Sequence, residues 1–168
     1  LMPQQNTNIS LYQESQAKDN CGFGLIVNRH GTQNRDVVTR SIAGLTSMTH
    51  RGAIGADGKT GDGCGLLFDL NQTFFQKQIR KELKIKLPEL FGIAQIFSSA
   101  ALKKDLPAIK TILQSENLVF ECVREVPINA SVLGEIALES LPKINQIFIT
   151  PISKDFNKER FESCLLQA

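Results

Sequence analysis

His50-Arg51-Gly52-Ala53-Ile54-Gly55-Ala56-Asp57-Gly58-Lys59-Thr60-Gly61-Asp62-Gly63-Cys64-Gly65 carries six of the chain's twelve glycines. Glycine loses more backbone freedom on ordering than any other residue, so no helix or strand interior selects this composition. The stretch reads as a loop that either brings backbone close to something or needs positive φ at several positions. Regular structure has to be found on either side of it.

Before the loop, Phe23, Leu25, Ile26 and Val27 form an apolar run that predicts a buried strand over residues 21–27. Val38, Ile42, Leu45 and Met48 then recur at spacings of four, three and three, one face of an amphipathic helix over residues 36–50. After the loop the pattern predicts strands at residues 64–70, 91–97, 118–126 and 144–149. Helices are predicted at 72–83, 102–114, 134–141 and 155–166, with Asp155 as a cap for the last. The class is mixed α and β. Taken alone, the alternation of strands and helices favours a parallel doubly wound sheet.

The 168 residues suit one domain with a sizeable core. A formal net charge of +2 gives no ground for a nucleic-acid or membrane-surface partner. The locally basic residues 77–86 read as a solvated helix face. No apolar run approaches the roughly 20 residues that span a bilayer. Residues 1–20 are polar, without the apolar centre of a secretory signal, which predicts a cytoplasmic protein. The four cysteines contain no C-x-x-C pair and read as free thiols. Cys64, Cys122 and Cys164 are expected to be small buried residues. No spacing supports a metal site.

Two features invite chemistry. Cys21 reads either as a small buried hydrophobe at a strand start or as an N-terminal nucleophile. If residues 1–20 were removed, its own α-amine, with a reference pKa of about 7.7–8.0, would serve as the base that takes the thiol proton. Gly22 and Gly24 would let a substrate approach the backbone. In the glycine-rich loop, Arg51 beside Gly52 offers a planar cationic fork for a carboxylate, or an ordinary ion pair. Asp57 and Asp62 read as turn residues, and their spacing fits no calcium loop. The loop matches neither common phosphate-cradle motif.

Together these blocks carry a resemblance. Asp19-Asn20-Cys21-Gly22-Phe23-Gly24, His50-Arg51-Gly52-Ala53 and Ala56-Asp57-Gly58-Lys59-Thr60-Gly61-Asp62-Gly63-Cys64-Gly65-Leu66-Leu67 resemble the type-2 glutamine amidotransferase domain at the start of the glutamate synthase large subunit. Phe74-Phe75, Val132-Leu133-Gly134-Glu135-Ile136-Ala137 and Leu141-Pro142-Lys143-Ile144-Asn145-Gln146-Ile147-Phe148 extend the likeness to nearly the whole chain. The loop wording is closer to the bacterial NADPH-dependent form than to the ferredoxin-dependent one.

The resemblance implies an α+β fold, the N-terminal-nucleophile hydrolase four-layer αββα sandwich, incomplete in this chain. It implies a leader at 1–20 and the N-terminal portion of the amidotransferase domain at 21–168. Cys21 is then the nucleophile that hydrolyses L-glutamine to glutamate and ammonia through a thioester, with Arg51 and Gly52 lining the substrate pocket. The ammonia would pass to 2-oxoglutarate elsewhere in the large subunit. Implied cofactors lie outside this segment: FMN, an iron–sulfur cluster, and NADPH through a small subunit.

Two departures from the family pattern stand out. Residues 1–20 are present, so Cys21 has no free amine and no activity is expected in this form. The family's oxyanion hole uses an Asn-Gly pair, and this chain has none. Loss of one such donor typically costs about 10²–10³ in rate. The last predicted helix also runs to Ala168 without a stop signal, so the chain reads as a piece that is inactive alone. Two competing readings are the amidotransferase half of another biosynthetic enzyme, such as a phosphoribosyl or hexosamine amidotransferase, and a non-catalytic module of the same fold.

Overall fold

A computed structural model describes residues 22–48, 54–61, 63–99, 102–153 and 155–168. It divides into two contact units, one of Leu1–Ala53 with Gly63–Leu66 and one of Ile54–Asp62 with Leu67–Ala168.

The first unit contributes helix α1, Arg35–Ser47. Asn34 has extended backbone and caps it, its side chain accepting from the Asp36 amide at 2.9 Å. Asp36 in the first turn complements the positive helix end and holds Arg40 at 2.7 Å one turn on. None of the residues of α1 is buried. The predicted end at His50 lies outside the described residues.

The second unit is built on a three-stranded sheet: β1 (Gly92–Ser98), β2 (Leu118–Glu125) and β3 (Lys143–Pro151), in the order β1-β3-β2. β3 pairs antiparallel with both neighbours, Gly92 opposite Ile149 on one side and Leu118 opposite Pro151 on the other. The doubly wound parallel sheet suggested by alternation is therefore corrected. β1 and β2 do run the same way, but the last strand enters between them in the opposite sense. Alternation reports which segments are strands and cannot report that insertion. α3 (Leu106–Ser115) is the crossover from β1 to β2. It ends before Asn117, whose φ of 59° is a left-handed conformation asparagine tolerates.

The sheet is covered on both faces. On one, Ile147 and Ile149 of β3 pack with Leu113 of α3 and Phe161 of α5 (Lys158–Gln167). On the other, Phe148 packs with Ile79 of α2 (Gln72–Leu83) and with Phe91. Burial on both faces explains why residues 147–150 of β3 are all buried in a row. Gly92 makes the close approach of α5 feasible, because a Cβ there would lie 2.6 Å from Leu165 Cδ1. Arg124 on β2 ties α2 down, donating to Glu82 at 2.8 Å and to Gln146 at 2.9 Å. That bond holds the Glu82 carboxyl below its ordinary range.

Other expectations are refined or corrected. α5 is capped by Asn157, accepting from the Arg160 amide at 2.8 Å, and not by Asp155. The predicted strands at 21–27 and 64–70 are not strands among the described residues: Phe23 and Leu25 are exposed, and Leu67 is fully so. Apolar alternation states a preference for a buried sheet surface, but only a paired neighbour makes a ladder. Cys122 is buried as expected, and burial, reinforced by the adjacent Glu121 charge, pushes its thiol up to about 11. Cys164 is half-buried, while Cys64 is exposed, against expectation.

Candidate functional site

The glycine-rich segment folds into a closed turn. Ile54 and Gly61 form an antiparallel bridge, the Gly55 amide donates to the Thr60 carbonyl at 2.5 Å, and the Gly58 amide to the Gly55 carbonyl at 3.0 Å. Gly58 has φ of +67°, the left-handed conformation glycine adopts without steric cost. Asp57 stands at the centre. Its Oδ1 accepts from the Lys59 amide at 3.0 Å and the Thr60 amide at 2.7 Å. Its Oδ2 accepts from the Thr60 hydroxyl at 2.5 Å. Asp57 is thus the turn residue its chemistry predicted; Asp62 lies outside the described residues.

The turn does not stand alone. Asp57 Oδ2 also accepts from the Ile136 amide at 3.3 Å, and Thr60 Oγ1 from the Ala137 amide at 3.3 Å. Both donors are in the first turn of α4 (Glu135–Glu139). Helix-start amides lack intrahelical acceptors, so they are natural partners for these oxygens. Four donors around one carboxylate hold Asp57 well below the usual range, the Thr60 hydroxyl first among the causes. Gly134 is required by the contact: a Cβ there would collide with Asp57 Oδ2, Thr60 Oγ1 and the Thr60 amide. The two blocks lie more than seventy positions apart in sequence, and nothing local to either shows that they interlock. The one hint is Gly134 itself, a glycine directly before a helix.

The residues expected to react, Cys21, Arg51 and Gly52, lie outside the described residues. Their neighbours are described. Gly22, next to Cys21, packs near Met48, two positions before His50; a Cβ on Gly22 would lie 3.4 Å from the Met48 sulfur. The flank of the cysteine block thus meets the flank of the His-Arg-Gly block within one unit. Among the described residues, no three His, Cys, Asp or Glu side chains gather in a way that would hold a metal ion.

Comparison with known families matches residues 21–168 to the glutamine amidotransferases of class II. The chain belongs to that family. This amidotransferase chain is 34% identical over 161 residues to the glutamate synthase [NADPH] large chain of Azospirillum brasilense, covering 93% of this chain and 10% of that one. It is 34% identical over 142 residues to the corresponding large chain of Bacillus subtilis, covering 83% and 9%. The glutamate synthase [NADH] of Saccharomyces cerevisiae is 32% identical over 168 residues, covering 92% and 8%. The amidotransferase chain therefore spans about a tenth of the length of these relatives. The resemblance read from the sequence blocks is borne out, bacterial NADPH-type relatives included.

Proposed function

We propose that this chain is the glutaminase portion of a glutamate synthase, with Cys21 as nucleophile. The observation that carries the reading is the family match, which begins at Cys21 and runs to Ala168. Removal of residues 1–20 frees the Cys21 α-amine. That amine takes the thiol proton, in the usual manner of a paired nucleophile and base. The sulfur attacks the side-chain amide carbon of L-glutamine and forms a tetrahedral oxyanion. The amine returns its proton to the leaving nitrogen, the C–N bond breaks, and ammonia departs from a γ-glutamyl thioester. Water then cleaves the thioester to glutamate and restores the thiol. Arg51 and Gly52 line the glutamine pocket. This chain has no Asn-Gly pair to supply the family's oxyanion donor, so residues 21–168 alone are inactive.

The domain is a four-layer αββα sandwich, with which a sheet covered by helices is compatible. Ammonia passes to 2-oxoglutarate in the rest of the large subunit, and the small subunit brings electrons from NADPH. FMN and the iron–sulfur cluster belong to those other parts. The enzyme is cytoplasmic. Among the described residues, no helix is long and apolar enough to cross a membrane.

The test is mass spectrometry of the full enzyme with 6-diazo-5-oxo-L-norleucine, a glutamine mimic that alkylates such thiols. The reading expects a mature chain starting at Cys21, one adduct on Cys21, and complete loss of glutamine hydrolysis in Cys21→Ala. Retained hydrolysis in that variant, or an adduct only on another cysteine, overturns it.

A further inference from the structure

The turn at 54–61 is tied to the connection that carries the chain from β2 to β3, and both lie in one contact unit. The connection leaves the sheet at Val126, whose amide donates to the Ile144 carbonyl at 2.8 Å, and rejoins it at Lys143. Between these points the regular structure is one 3-10 turn, Ala130–Val132, and the five-residue α4. A helix that short does not hold itself in water. Apolar burial does not hold it either. Among the described residues, none of 127–142 belongs to an apolar cluster of the sheet, and Ile128, Val132, Ile136 and Leu138 are exposed.

Polar contacts hold its middle instead. Asp57 Oδ2 accepts from the Ile136 amide and Thr60 Oγ1 from the Ala137 amide, both at 3.3 Å. Gly134 sits directly against both side chains. The same Asp57 closes the turn, accepting from the Lys59 and Thr60 amides, while the Thr60 hydroxyl donates to it. Two side chains thus serve two segments at once.

We infer that residues 127–142 are a strap that opens together with the turn at 54–61, as one cooperative unit, while the sheet stays closed; Asp57 and Thr60 are its clasp. Local opening is drawn from regions with few buried apolar contacts, because it leaves the core intact. The strap and the turn meet that description, and the buried row 147–150 of β3 does not. The coupling runs both ways: if loosening the turn frees the strap, loosening the strap frees the turn by the same factor. This motion does not depend on the glutaminase reading.

The test is hydrogen exchange followed by mass spectrometry on the full enzyme, read in peptides covering 54–61, 134–139 and 147–150. Thr60→Val removes the hydroxyl at nearly constant shape, and Thr60→Ser returns it. Gly134→Ala loosens the contact from the strap side, because the added carbon meets Asp57 and Thr60. Exchange at 54–61 and at 134–139 is expected to rise together by about tenfold in Thr60→Val and in Gly134→Ala, with recovery in Thr60→Ser and no change at 147–150. A rise confined to one of the two segments, or absent from both, overturns the cooperative unit. So does an equal rise at 147–150, which marks global destabilisation, or a failure of Thr60→Ser to recover. Wild-type amides at 136 and 137 that already exchange like unstructured chain overturn it as well. If Gly134→Ala fails to fold, the two Thr60 variants decide alone.

Discussion

The centre of the sheet and the glycine-rich turn hold their shapes by opposite means. In β3, Ile147, Phe148, Ile149 and Thr150 are buried between helices on both faces, and the strand is fixed by non-directional contact with many neighbours. The turn at 54–61 has an exposed apolar residue, Ile54, and no buried residue; it is fixed by hydrogen bonds whose donors and acceptors must each be in place. A core of the first kind tolerates changes that keep volume. A turn of the second kind is sensitive to single atoms, because one oxygen of Asp57 or one added carbon on Gly134 alters the whole contact. The region held by apolar burial and the region held by individual hydrogen bonds are therefore different places.

That contrast can be broken most forcefully at Phe148. Its ring is fully buried and stacks near Phe75 and Phe91 at centroid distances of 5.9 and 6.0 Å. Phe148→Ala is expected to destabilise the protein by about 3–5 kcal/mol in denaturant titration. A loss under about 1 kcal/mol would mean that the sheet centre does not carry the stability. A smaller effect comes from pH at the turn. The folded carboxyl of Asp57 is lowered, so its contribution is full above the unfolded value near 4 and is lost as pH falls below that toward the folded one. The stability difference between wild type and Asp57→Asn should thus be constant at neutral pH and shrink in acid. A difference that grows in acid would contradict the hydrogen-bonded carboxylate. The smallest effect is expected on α1, where Arg40 and Asp36 are both exposed. Arg40→Ala should change stability by less than about 0.5 kcal/mol. A larger loss would show that exposed pairs share in holding this molecule.

Much of the second unit was legible in the residue pattern. Helix α2 starts where Asn71 caps it and presents Phe75 and Ile79 to one side, as the spacing stated. The positions of the three strands were also legible, because their apolar runs are long and bounded by turn residues. Their order was not. Nothing in the wording of residues 143–151 says that they lie between the other two strands, since order is set by which edges are left to pair. The strand readings at 21–27 and 64–70 failed for a related reason. An apolar run specifies that a surface wants covering, but a ladder forms only where a second backbone lies alongside.

The candidate site divides in the same way. Cys21, Arg51 and Gly52 were singled out by residue type and by the company they keep in sequence, and the family match runs from Cys21 onward. Asp57 was readable as a turn former because a short carboxylate bonds its own backbone. Its second role was not readable, because the Ile136 amide becomes an available donor only once α4 starts there and lies against the turn. Sequence by itself determined the family, the positions of the three strands and the apolar face of α2, all consequences of local residue pattern. Tertiary structure alone decided strand order and the clasp between residues 57–60 and 134–137, because both depend on which backbone groups distant segments leave unsatisfied and bring within hydrogen-bond reach.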